Sequence, residues 1–190
     1  MQMSKAFWMG PAALALLFCS QAASADPAAN AAGHLFMQVC RADNLAHPER
    51  IRAWAAEHHL PEVSNPKGRA VFVGDGPNGI AWHIHDDNTE LVLAIRSKTG
   101  GCAVYAEPLD PAALGQIYSM LIAGYAKEFS VTTPLPDKAQ PGPYGTATGK
   151  VRLVDGPDSK SQLLLTLITH EKPGGPYQGA LQITLTHRSS

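Results

Sequence analysis

Residues 80 to 95 read IAWHIHDDNTELVLAI and hold the residues of this chain best placed to do chemistry: His83 and His85, one position apart, and Glu90 beyond an acidic tip. If Asp86 to Thr89 form a turn, His85 faces Glu90, Ile84 faces Leu91, Trp82 faces Leu93 and Ile80 faces Ile95. Strand side chains alternate, so His83 and His85 share one face while Ile80, Trp82 and Ile84 share the other. Two imidazoles and a carboxylate within about 7 Å suit zinc or copper. The same pattern is what the wet side of an ordinary half-buried hairpin shows. The other outward positions, Ala81, Val92, Ala94 and Tyr105, supply no fourth ligand and point to cover by another element. His83, His85 and Glu90 are therefore the candidate metal site, and the plainer reading of the hairpin needs no cofactor.

Other reactive patterns fail on inspection. There is no G-x-S-x-G elbow, no H-E-x-x-H helix and no P-loop, so no catalytic residue is assigned. GDGPNG, residues 74 to 79, is glycine-dense but precedes a strand, not a helix N-terminus, and reads as turn chemistry. Asp86-Asp87-Asn88 with Glu90 is too short for a calcium loop. His58-His59 falls in the last turn of a helix, where partial positive charge is favourable.

The elements that must position the hairpin can be read from caps and periodicity. A first helix starts at Asp26-Pro27 and carries Leu35, Phe36, Val39 and Cys40 on one face; a second opens at Pro48, buries Ile51, Trp54 and Ala55, and closes at Leu60-Pro61. Residues 61 to 79 are loop-rich, with RAVFV as a short strand. A turn at Ser97 to Gly100 pairs Ile95 with Cys102, Leu93 with Val104 and Leu91 with Ala106. Asp110-Pro111 then opens a long helix with Leu114, Ile117, Tyr118, Leu121 and Tyr125 as its stripe.

Residues 133 to 149, TPLPDKAQPGPYGTATG, read as a Pro/Gly-rich connection outside the core. A second meander follows in GKVRLV, SQLLLTLITH and GALQITLTHR, its middle strand apolar on both faces. The expected fold is one α+β domain over residues 26 to 190, in the order ααβββαβββ, with a mostly antiparallel sheet packed against helices.

Lys5, the apolar run Ala6 to Phe18 and the small-x-small site Ala23-Ser24-Ala25 read as a signal peptide, residues 1 to 25, cleaved after Ala25. Phe18 before Cys19 departs from a lipid-attachment site, which argues against anchoring. No segment approaches the roughly 20 apolar residues of a membrane span. In the periplasm, Cys40 and Cys102, the two cysteines beyond Cys19, pair most simply as a disulfide. With 15 basic and 16 acidic residues and a formal net charge of −1, the chain lacks the basic excess that tracks a phosphate backbone, so nucleic acid is not an expected partner.

The string GIAWHIHDDNTELVLAIRSKTGGCAVYAEP, with IRAWAAEHHLPE before it, resembles a group of small exported proteins and lipoproteins of Gram-negative bacteria that share G-x-A-W, V-L-A-I-R and C-A-V-Y-A strands. The resemblance spans residues 34 to 125. It implies export and a core position for Cys102, and it transfers no active site, since no activity is assigned to that group. The leading expectation is a non-enzymatic periplasmic binding protein, inhibitor- or immunity-like, whose partner is another envelope protein. A metal-binding protein using His83 and His85 is the alternative, and an envelope hydrolase with a site assembled from loops is the third. The sequence sets no oligomeric state.

Overall fold

The computed structural model describes residues 26–74, 76–86, 89–129, 131–142, 145–155 and 160–187. The expected signal segment, residues 1 to 25, and the turn residues Asp87 and Asn88 lie outside them. Four helices come first: α1 (Pro27–Val39), α2 (Ala42–Leu45), α3 (Pro48–Glu57) and α4 (Pro66–Val73). Strands β1 (Ile80–Asp86), β2 (Thr89–Ile95) and β3 (Cys102–Glu107) follow, then α5 (Pro111–Glu128), then β4 (Val131–Gly142), β5 (Gly145–Asp155), β6 (Ser161–His170) and β7 (Gly179–His187). All seven strands join one antiparallel sheet in the order β1-β2-β3-β7-β6-β5-β4. The chain is thus the expected mixed α+β fold with a single disulfide. Among the described residues no helix is long and apolar enough to cross a membrane.

Helix starts follow one rule. Proline stands in the first turn of α1, α3, α4 and α5, where its missing N–H costs nothing and its fixed φ suits the helix. Asp26, Asn65 and Asp110 cap three of these helices by accepting from Ala29, Lys67 and Ala112 N–H groups at 3.0, 3.0 and 2.9 Å. The Asp26 carboxylate also accepts the Asp110 backbone N–H, so one side chain ties together the starts of α1 and α5.

The β1–β2 and β2–β3 registers are those expected, with His85 opposite Glu90 and Ile95 opposite Cys102. Ile80, Trp82, Leu91, Leu93, Ile95, Cys102, Val104, Leu163, Leu165, Leu181 and Ile183 form the inner sheet face. Onto it pack Leu35, Phe36 and Val39 of α1, Ile51 and Ala55 of α3, and Leu114, Tyr118 and Leu121 of α5. Full burial of each such leucine is worth about 2 kcal/mol. Cys40 and Cys102 are both buried in this layer and bonded, with Cα atoms 5.3 Å apart.

Three expectations need correction. RAVFV is helical, as part of α4: Asn65-Pro66 before it and Gly74 after it, at φ 75°, form a capped start and a left-handed stop that override the strand preference of its valines. The 133 to 149 segment is not a connection but most of the β4–β5 hairpin, with register shifts between Val131 and Pro134 and between Leu135 and Lys138. Its described side chains from Pro134 to Gly142 are exposed, so the strand adds an edge without adding core. Third, β6 buries Leu163, Leu165 and Leu167 but leaves Leu164, Thr166 and Ile168 half-exposed, because the short α4 covers only part of the outer face.

Both sheet edges are occupied or blunted. The chain at Pro61 to Val63 runs beside β1, with Val63 N–H donating to the Ala81 carbonyl and His83 N–H to the Pro61 carbonyl, each at 2.9 Å. At the other margin Pro134, Pro136 and Pro141 remove three donors from β4.

Candidate functional site

The outer face of the β1–β3 end holds the residues singled out from sequence. His83 and His85 point to this side and are exposed, and Glu90 lies beside His85, with His85 Nδ1 2.6 Å from Glu90 Oε1. Among the described residues no group of three or more His, Cys, Asp or Glu side chains gathers in a geometry that could hold a metal ion. The register places a further carboxylate here, because Glu90 stands directly opposite Glu107. Glu107 Oε1 accepts from the Gly174 N–H at 2.9 Å. Like charges directly opposed across strands are destabilising, so this pair departs from ordinary sheet design.

Next to that row α4 provides the cover that Ala81, Val92, Ala94 and Tyr105 imply. Phe72 and Val73 pack on these four residues in a second, smaller core. The Tyr105 hydroxyl donates to the Phe72 carbonyl at 2.7 Å and accepts from Arg96 Nη1 at 3.0 Å, fastening α4 to the sheet. Phe72, Tyr105 and Tyr177 stack edge to face or tilted, with Tyr105 at 5.1 Å from Phe72 and 4.8 Å from Tyr177. Burial pushes the Tyr105 and Tyr177 hydroxyls above the usual phenol range, against the pull of the Arg96 guanidinium. A hollow of about 130 Å³ opens between these rings and the Glu90–Glu107 row.

His58 is accounted for elsewhere. It ends α3 with Nδ1 2.8 Å from the Trp54 carbonyl and its ring stacked on Trp54 at 4.0 Å, a helix-terminal role.

A second concave region lies in the helical layer, between α1 and α5. The two helices approach closely where Gly33 meets Ile117: a Cβ at Gly33 would sit 2.6 Å from Ile117 Cγ2. On either side of that contact the surface opens, into a hollow of about 280 Å³ by Asn30 and His34 and a trough of about 750 Å³ by Phe36, Tyr125 and Phe129. Met37, Met120 and Leu121 line both. Met37 is 52% and Met120 61% exposed, large values for apolar side chains, and Arg41, Asp43 and Lys127 border the trough.

Sequence reasoning brought His83, His85 and Glu90 to one face and missed Glu107, although the same register carried one residue further pairs it with Glu90. Phe72 was hidden by the strand reading of RAVFV. Tyr177 stands in a Pro/Gly-rich turn with no periodic signal. The Met37–Met120 groove needs the pairing of α1 with α5, which no local pattern encodes. Comparison with protein-family models, with curated proteins and with solved structures gives no significant match.

Proposed function

We propose that this is an exported, non-enzymatic periplasmic binding protein that seats an apolar segment of another envelope protein in the groove between α1 and α5. The observation that carries the reading is the pair Met37 and Met120, exposed and lining the same groove. Methionine is flexible and polarizable, and it serves surfaces that adapt to a partner's side chains. Exposed apolar surface rimmed by charge marks interaction sites more often than chance exposure does. Arg41, Asp43 and Lys127 supply that rim. An inhibitor or immunity role fits such a surface, because occupying a partner needs complementarity and no reactive group.

The zinc or copper reading has narrower support. His83 and His85 share a face, but Glu90 already engages His85, and no third ligand joins them among the described residues. For the hydrolase reading the hollows offer His83, Glu90 and Glu107 on the outer face and His34 between α1 and α5, but no Ser, Thr or Cys lines them among the described residues.

The test is affinity capture from periplasmic extract, with the wild-type chain beside a Met37→Glu/Met120→Glu double variant. A partner retained in stoichiometric amount by the wild type and lost by the variant, while thermal melting stays unchanged, is the expected result. Capture of nothing stoichiometric, or equal capture by both proteins, would overturn the reading.

A further inference from the structure

The hollow on the opposite face of the sheet does not belong to the α1–α5 groove and carries a different chemistry. We propose that it binds a primary alkylammonium group, taken between the carboxylates of Glu90 and Glu107 with its alkyl stem against Tyr177 and Phe72.

The case starts from charge. Glu90 and Glu107 stand opposite each other on adjacent strands, an arrangement that raises the energy of the sheet unless a cation sits between or beside them. His85 meets one oxygen of Glu90, and a backbone N–H meets one oxygen of Glu107. Two histidines stand at the pair, His85 on Glu90 and His83 in the lining of the hollow, while among the described residues no lysine or arginine forms a salt bridge with either carboxylate. Arg96, the cation at the Tyr105 hydroxyl, follows the far end of β2 from Glu90. The hollow therefore has an acidic end and an aromatic end.

The walls then define the ligand. Aromatic faces attract cations, and the attraction rises as water is excluded. Tyr105 is 1% and Phe72 7% exposed, so the ring most open to a ligand is the half-buried Tyr177, which the other two pack against. At about 130 Å³ the hollow is well below the ~300–1,000 Å³ of drug-sized pockets. It suits a short chain with a compact head. An ammonium with three N–H donors can bond both carboxylates at once, with charge-assisted strength. A quaternary ammonium has no N–H and would forgo those bonds.

A free aliphatic amine and a lysine side chain of a protein present the same group, and two probes separate them. Protein expressed from the full chain is titrated by calorimetry and by proton NMR with n-butylammonium, with Nα-acetyl-lysine amide, and with tetramethylammonium. The expected result is saturable millimolar binding of n-butylammonium at least ~10-fold tighter than that of tetramethylammonium, since a charge-assisted bond is worth more than ~1.4 kcal/mol. Binding of the lysine amide as well points to a protein lysine as the natural source, and binding of n-butylammonium alone points to a free amine.

Glu107→Gln keeps the shape and removes one charge. It should weaken n-butylammonium at least ~10-fold while leaving the melting temperature the same or higher, because it relieves the repulsion with Glu90. Glu90→Gln gives a second reading of the same effect on binding. A purely structural Glu107 would instead lower the melting temperature on substitution and leave amine binding unmoved. No saturable n-butylammonium binding, equal affinity for tetramethylammonium, or unchanged affinity in both variants overturns the proposal. None of these measurements touches the α1–α5 groove, so failure here and failure of the partner-binding reading are distinguishable.

Discussion

Tyr118 projects from α5 into the main core and donates its hydroxyl to the Leu165 carbonyl at 3.0 Å. It is 4% exposed, and burial raises its pKa to about 12. In the unfolded chain a phenol titrates near 10. Between those values the unfolded chain gives up a proton that the folded chain keeps. The stabilising contribution is therefore complete below about pH 10 and is lost as the pH rises through about 12, with a slope approaching 1.4 kcal/mol per pH unit. Tyr105 and Tyr177, also raised by burial, act in the same direction. Urea midpoints measured from pH 9 to 11.5 should fall steadily in the wild type and less steeply in Tyr118→Phe; parallel curves would show that the phenol does not govern this limb.

Among the elements, the α1–α5 contact depends on Gly33. Alanine there would gain up to about 1 kcal/mol of helix propensity. Its Cβ would also meet Ile117 Cγ2 at 2.6 Å, and overpacking typically costs about 1–3 kcal/mol. The second effect wins, so Gly33→Ala should lower the urea midpoint at unchanged m-value, and Gly33→Val more so. Either substitution also spreads the helices that frame the groove. Much of this layer was legible locally: Asp26-Pro27, Pro48 and Asp110-Pro111 announce three helices, and alternating apolar residues fix the registers of β1, β2 and β3. Asn65-Pro66 and Gly74 gave the same kind of signal for α4. There the valines of RAVFV argued for a strand, and a capped, eight-residue helix prevailed. Residues 131 to 142 were illegible for another reason. Proline density there resembles a linker, and only backbone pairing with β5, a tertiary event, makes it an edge strand.

Over the whole molecule, the Cys40–Cys102 bond joins the end of α1 to the start of β3 across 62 residues. Closing a loop of that length stabilises the fold by about 4 kcal/mol on the chain-entropy view. Cys40→Ala/Cys102→Ala, or reduction of the native bond, should remove about 3–4 kcal/mol, read as a matching drop in urea midpoint. A loss below ~1 kcal/mol would mean that the helical layer holds its place on the sheet without the covalent tie. Both cysteines were identifiable from their number and from the register that puts Cys102 on the inner face; the α2–α3 and α1–α5 packing around them was not, because it depends on contacts between distant segments. The closed margins of the sheet carry a consequence for self-association. A backbone template for fibril growth needs an unoccupied row of amide donors, and here Pro61 to Val63 takes up Ala81 and His83 on one border while three prolines of β4 carry no N–H on the other. A strand arriving from another copy would therefore meet an interrupted row of backbone partners at either border.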